Sequence, residues 1–183
     1  MRNIELKARC SDLAAAEAAC QRLGARRAWT RRQTDTYFGV ARGRLKLRVE
    51  EPCGGDGPPA AVLVEYRRPD AAAARDSHYE LTPVDSPKET LAALASRHGI
   101  MVRVEKTRTL YLLENVRIHL DQVGGLGTFV EFEAVMGPAD TDDAAHALLE
   151  RLRRELGIAE SDLLSGSYSD MVPHGRGEAG CPA

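Results

Sequence analysis

The chain has 183 residues, enough for one domain with a core, and its 43% hydrophobic and 28% charged residues exclude a disordered polymer. A formal charge of −2 excludes a generally basic nucleic-acid binder, and no apolar run approaches the roughly 18 residues of a membrane-spanning helix. The opening stretch MRNIELKARCSD is charged where a secretory signal is apolar, so a cytoplasmic protein without membrane attachment is expected.

Residues 2–9 place Asn3, Glu5, Lys7 and Arg9 on one alternation and Ile4, Leu6 and Ala8 on the other, which predicts a strand. Ser11 is the expected N-cap of an alanine-rich helix, DLAAAEAACQRL, that stops at Gly24. Residues 28–40, rich in Thr and aromatics, read as extended, and 44–50 alternate Arg44, Lys46, Arg48 and Glu50 with Leu45, Leu47 and Val49. The composition of PCGGDGPP (52–59) predicts a flexible loop. A strand over 60–67 sets Glu65 and Arg67 opposite Val64 and Tyr66, and a shorter one follows at 77–82, where His78 and Glu80 are candidates for an inner face.

Ser86-Pro87 opens a helix that ends at Gly99. Strands are predicted over 101–113, 115–121 and 128–136, the last two joined by a GGLG turn at 124–127. Thr141 caps a final helix over about 140–156, with Ala145, Leu148, Leu149 and Leu152 as its apolar stripe. The domain therefore spans 1–172, and the Gly- and Pro-rich residues 173–183 read as a disordered tail. Cys10, Cys20, Cys53 and Cys181 show no metal-ligand spacing and are expected to be free thiols.

Several of these strands carry charge at every second residue. A solvated sheet face explains any one of them. Taken together, they hold doublets of one sign: Lys46 with Arg48, Lys106 with Arg108, Glu131 with Glu133. Such neighbours project side by side at ~7 Å and repel unless opposite charge lies between them. Cation doublets suit phosphate oxygens, and carboxylate doublets suit Mg²⁺ or Mn²⁺. His119, between Arg117 and Asp121 on its strand, carries little weight alone, and Trp29, Tyr37 and Phe38 read as packing residues.

The runs NIELKAR, QTDTYF, GRLKLR, EYRRP, VEKTRTLY, RIHLDQVGGLGTFVEFE and SYSD, in that order over about residues 2–172, resemble the CYTH proteins, also called triphosphate tunnel metalloenzymes. The spacing of KxR, LDxVxGLGxFxExE and SYS is most similar to the class IV adenylate cyclase-like branch. The resemblance implies an α+β fold, an eight-stranded closed antiparallel β-barrel (the triphosphate tunnel) with flanking helices and the ligand inside. It implies a catalytic Lys7 within the first-strand signature ExExK. It implies substrate binding by Lys46, Arg48, Arg67, Lys106 and Arg108, and Mg²⁺ or Mn²⁺ binding by Glu5, Asp121, Glu131 and Glu133. Tyr168 and Ser169 fall where a C-terminal SY segment closes one mouth. Asn3 stands where the signature has its first acid; an amide offers an oxygen but no charge.

The function so implied is metal-dependent hydrolysis of a triphosphate compound, whether inorganic triphosphate, a nucleoside triphosphate or thiamine triphosphate. The branch suggests an alternative, conversion of ATP to cyclic AMP and pyrophosphate. Asn3 suggests another, a non-catalytic module that binds organic phosphates. The partner in each case is a small-molecule triphosphate, and oligomeric state is not legible.

Overall fold

Strand β1 (Arg2–Arg9) is buried at every position from Asn3 to Ala8, so both of its faces are covered. An alternating strand achieves that only when its apolar side lies under helices and its polar side faces an enclosed space. The structure, a computed structural model, describes residues 2–54, 58–67 and 75–172, without the side chains of Arg67 and Arg75. The remaining strands are β2 (Arg26–Phe38), β3 (Arg44–Pro52), β4 (Ala60–Arg67), β5 (Arg75–Pro83), β6 (Ile100–Leu113), β7 (Val116–Val123) and β8 (Gly127–Val135).

Their order, β1-β5-β4-β3-β2-β6-β7-β8, closes into a barrel in which every pairing is antiparallel. Strand β1 completes the ring, pairing with β5 over Arg2–Glu5 and with β8 over Asn3–Arg9. Closure removes the unpaired edges that an open sheet would expose.

Helices α1 (Leu13–Arg22) and α3 (Asp142–Glu155) cover one side of the barrel. Ala16, Ala19 and Cys20 of α1 and Leu149 and Leu152 of α3 pack with Ile4, Leu6, Ile118 and Phe132 of the outer strand faces. Burying each large aliphatic chain there contributes roughly 1.5–3 kcal/mol. Helix α2 (Pro87–His98) sets Leu91 and Leu94 against Phe38, Leu45 and Leu47. A 3-10 turn at Glu160–Asp162 leads to α4 (Tyr168–Met171) at the barrel's end.

The α1 cap is Asp12 rather than Ser11: its Oδ1 accepts from the Ala15 amide at 2.9 Å, because the first helical residue is Leu13. Strand β3 runs on to Pro52, past the expected end at 50, since Glu50 and Glu51 pair with Arg31 (3.0 Å) and Arg32 (3.5 Å) across the ladder. The β7–β8 turn uses Gly125 and Gly127 at φ 73° and 101°, where a side chain would be strained. Cys10, Cys20 and Cys53 are free thiols. Of the expected 52–59 loop, residues 55–57 lie outside the described residues, as do the expected tail at 173–183 and Cys181. Among the described residues no helix is long and apolar enough to cross a membrane.

Candidate active site in the barrel interior

Alternation along each strand decides which side chains meet inside the ring. Asn3, Glu5 and Lys7 of β1, Gln33 and Asp35 of β2, Lys46 and Arg48 of β3, Lys106 and Arg108 of β6, Arg117 and His119 of β7, and Glu131 and Glu133 of β8 line one cavity of about 530 Å³. That is ample for a small-molecule ligand, given the roughly 300–1,000 Å³ usual for such sites. Charges lining it come from strands far apart in sequence, and they divide into two groups.

The first group is cationic and centres on Asp35, which is 1% exposed. Arg48 grips both of its oxygens, at 2.7 and 3.0 Å, while Lys46 and Lys106 reach Oδ2 at 3.0 and 2.7 Å. Burial alone would raise the Asp35 carboxyl, but Arg48, Lys106 and Lys46 outweigh it and hold it well below the usual carboxylate range. Burial brings the Lys106 ammonium down to about 7, against the pull of Asp35 and with the push of Arg48, Arg108 and Lys46. The Lys46 ammonium also lies 5.3 and 5.7 Å from the Tyr37 and Tyr66 ring centres. Beside the group, Gln33 donates to Glu50 at 2.6 Å, and its buried Oε1 has no partner among the described residues.

The second group is acidic. Glu131 is ion-paired with Lys7 at 3.1 Å and accepts from Arg108 at 2.7 Å. Burial would push its carboxyl up, yet Lys7, then the neighbouring His119 and Arg108, keep it well below the ordinary range. Glu133 lies 3.6 Å from Arg117 and accepts from the Asn3 amide at 3.5 Å. One ligand atom each from His119, Glu131 and Glu133 falls within 4.8 Å of the others, the spread that a single metal ion spans. These residues fit a divalent cation. Glu5 lies opposite Glu133 in the β1–β8 register, on the cavity wall but outside that group of three.

Arg108 links the groups. Its Nε and Nη2 hold Asp121 at 2.7 and 2.6 Å, and Nη2 also reaches Glu131. Tyr168 adds a hydrogen bond to Asp121 at 2.7 Å and lays its ring 3.9 Å from the Lys7 ammonium. Burial, reinforced by Asp121 and Glu131, raises the Tyr168 hydroxyl well above its usual range, so it stays a proton donor. Arg44 fastens this segment by bonding Ser167, Ser169 (3.1 Å) and Asp170 (2.8 Å).

The structure thus brings together Lys7, Lys46, Arg48, Lys106, Arg108, Glu5, Glu131 and Glu133 around one space. It does not bring Asp121 to the acidic group, because both Asp121 oxygens are held behind Arg108. Arg67 ends β4 opposite His78, on the alternation of the exposed Glu65; its side chain is outside the described residues. His78 and Glu80 are exposed, and the inward positions of β5 are Ser77, Tyr79 and Leu81 instead, a correction of one residue in phase. Trp29 and Tyr37, read as packing residues, line the cavity.

Asp35 and His119 were not assigned roles by sequence pattern. Asp35 stands between Gln33 and Tyr37 on its alternation, with no like charge two residues away to mark it. Its partners Arg48 and Lys106 become visible only once β2 is paired with β3 and β6.

Residues 1–168 match the CYTH domain family. A relative from Methanocaldococcus jannaschii named "Putative adenylate cyclase MJ0240" is 22% identical over 178 residues, spanning 93% of this chain and 98% of the relative. The PH1012 protein from Pyrococcus horikoshii shares the fold at a TM-score of 0.77 and 22% identity, covering 92% of this chain and 98% of that one. A Vibrio parahaemolyticus protein given the same cyclase name superposes at 0.69 with 18% identity, over 92% of this chain and 96% of its own. With the family matched from residue 1 to residue 168, this chain belongs to the CYTH domain family.

Proposed function

We propose that the barrel is a metal-dependent phosphohydrolase acting on a triphosphate compound bound in its interior. One observation carries the reading: Lys46, Arg48, Lys106 and Arg108 stand beside Glu131, Glu133 and His119 in a single cavity. Phosphoryl transfer asks a protein mainly for positioning and for charge aimed at phosphate oxygens. The cationic group supplies both, but it already holds Asp35. Three cations against that one carboxylate still leave an excess of positive charge, which suits a polyanion such as a triphosphate.

Mg²⁺ or Mn²⁺ held by Glu131 and Glu133 would supply Lewis-acid charge and lower the pKa of a nearby water. Lys7, ion-paired with Glu131 and laid on the Tyr168 ring, is positioned to donate to a phosphate oxygen between the two groups. Arg108 is held in place by Asp121, which Tyr168 also bonds, and by Glu131, so its remaining Nη1 hydrogens are presented from a fixed position.

Adenylate cyclisation is the second reading, and one feature suits it as it suits hydrolysis of any triphosphate that carries an organic group. Trp29, Val62, Tyr66 and Leu81 form an apolar stretch of the same cavity wall, a surface suited to an organic substituent on the triphosphate. Incubation with tripolyphosphate, ATP and thiamine triphosphate, with Mg²⁺ or Mn²⁺, followed by product resolution, separates the readings. Orthophosphate release supports hydrolysis; cyclic AMP with pyrophosphate supports the second reading. Saturable binding with neither product leaves a binding module. Glu131→Gln is expected to abolish metal-dependent turnover, and full activity in that variant removes Glu131 from the site.

A further inference from the structure

The Nδ1 atom of His119 is buried and makes no hydrogen bond among the described residues, in a residue only 5% exposed. Leaving such an atom unpaired is costly, so its surroundings call for a reason. It lies 3.6 Å from Oε2 of Glu131 and 3.7 Å from Oε1 of Glu133. Both separations exceed a hydrogen bond. They match the roughly 3–4 Å between donor atoms that share one ion through bonds of about 2.0–2.2 Å.

Charge around the cluster points the same way. Lys7, Arg108 and Arg117 already face the two carboxylates, and the neighbouring Asn3 contributes an amide without charge. A hard cation such as Mg²⁺ depends on anionic oxygen ligands and keeps much of its water. An imidazole nitrogen adds little for Mg²⁺ but binds Mn²⁺, Co²⁺ or Zn²⁺ increasingly well. We propose that His119 is a metal ligand through Nδ1, so that His119, Glu131 and Glu133 form an imidazole–dicarboxylate site selecting a divalent transition metal over Mg²⁺. The proposal rests on the metal site of the function above and adds one ligand and the class of metal.

The test reads metal binding rather than turnover. Titration calorimetry of the metal-free protein with Co²⁺, Mn²⁺ and Mg²⁺, together with the visible absorption of bound Co²⁺, should show transition metals bound more tightly than Mg²⁺. His119→Gln should lose at least about tenfold in Co²⁺ affinity, the scale on which even outer ligand partners act. It should also change the Co²⁺ spectrum while keeping Mg²⁺ binding and thermal stabilisation by tripolyphosphate. Wild-type Co²⁺ affinity and spectrum in that variant would overturn the proposal. Nitrogen-15 NMR of the unmodified protein covers the case of a variant that does not fold. Saturating Zn²⁺ should move the His119 Nδ1 resonance, and an unmoved resonance overturns the assignment. A Zn²⁺-shifted His119 in a protein that turns over no triphosphate supports this ligand and removes the proposed hydrolase. Mg²⁺-driven turnover with an unmoved His119 does the reverse.

Discussion

The wall made by β1, β7 and β8 is charged inside and sealed outside, whereas the wall made by β4 and β5 is mostly apolar inside and open outside. On the first, Glu5, Lys7, His119 and Glu131 face the cavity, while Ile4, Leu6, Ile118 and Phe132 lie fully buried under α1 and α3. On the second, Val62, Val64, Tyr66 and Leu81 face the cavity, and the outward Glu65, His78 and Glu80 are exposed. The cationic strand β3 follows the first pattern, with Leu45 and Leu47 buried beside α2. Charges in a low-dielectric interior are tolerated only with well-fitted partners. Such fit needs a backbone that does not yield, and packing on the outer face provides it. An apolar wall has no charge to hold in place and manages with thinner cover.

Asp35→Asn breaks this contrast most severely. It removes the common partner of Lys46, Arg48 and Lys106 and leaves three buried cations in mutual repulsion. A stability loss of about 3–5 kcal/mol is expected. Tripolyphosphate should restore much of it, so its upward shift of the thermal midpoint should exceed that in the wild type. An equal shift in the two proteins would show that anions do not bind at this group.

Lys106 gives the next largest effect. Its folded value of about 7 lies below the ordinary 10.5, so between these values the unfolded chain carries a proton that the folded chain has released. Stability should therefore rise with pH across that window. Anion binding favours the charged ammonium and should weaken as pH climbs above about 7, by up to about tenfold per unit. Lys106→Arg should flatten the protein's share of that dependence. Calorimetry of tripolyphosphate binding to both proteins, taken as a difference, cancels the ligand's own titration.

The smallest effect belongs to the apolar wall. Val64 lies directly across from Lys46, yet Val64→Ala is expected to cost only on the order of 1 kcal/mol in thermal unfolding. Tripolyphosphate affinity should stay within about twofold of the wild type, because no charge is displaced.

Nearly all of the barrel was legible because strands read by period two announce themselves one at a time. Residues 2–9, 60–67 and 101–113 were expected as strands and are found at Arg2–Arg9, Ala60–Arg67 and Ile100–Leu113. Doublets such as Lys46 with Arg48 were visible for the same reason. What a single strand cannot show is its neighbour. The cross-strand pairs Lys7 with Glu131, Asp35 with Arg48 and Arg117 with Glu133 are register facts, fixed only when the ring closes. Hence the role of Asp35 stayed hidden, and so did the company that His119 keeps. His78 and Glu80 were candidates for the inner face of β5 because they are polar, whereas the inner positions hold Ser77, Tyr79 and Leu81.

The latch of Arg44 on Ser167, Ser169 and Asp170, with Tyr168 tucked against Asp121, sets the order in which the molecule can be finished. Strand β1 waits for β8, more than a hundred residues later in the chain, before its Lys7 meets Glu131. The aromatic stopper over Lys7 arrives later still. Such remote pairings are slow to form. A chain halted before residue 167 would hold its eight strands but lack the Tyr168 ring, so the surroundings of Lys7 are completed only after the barrel has closed.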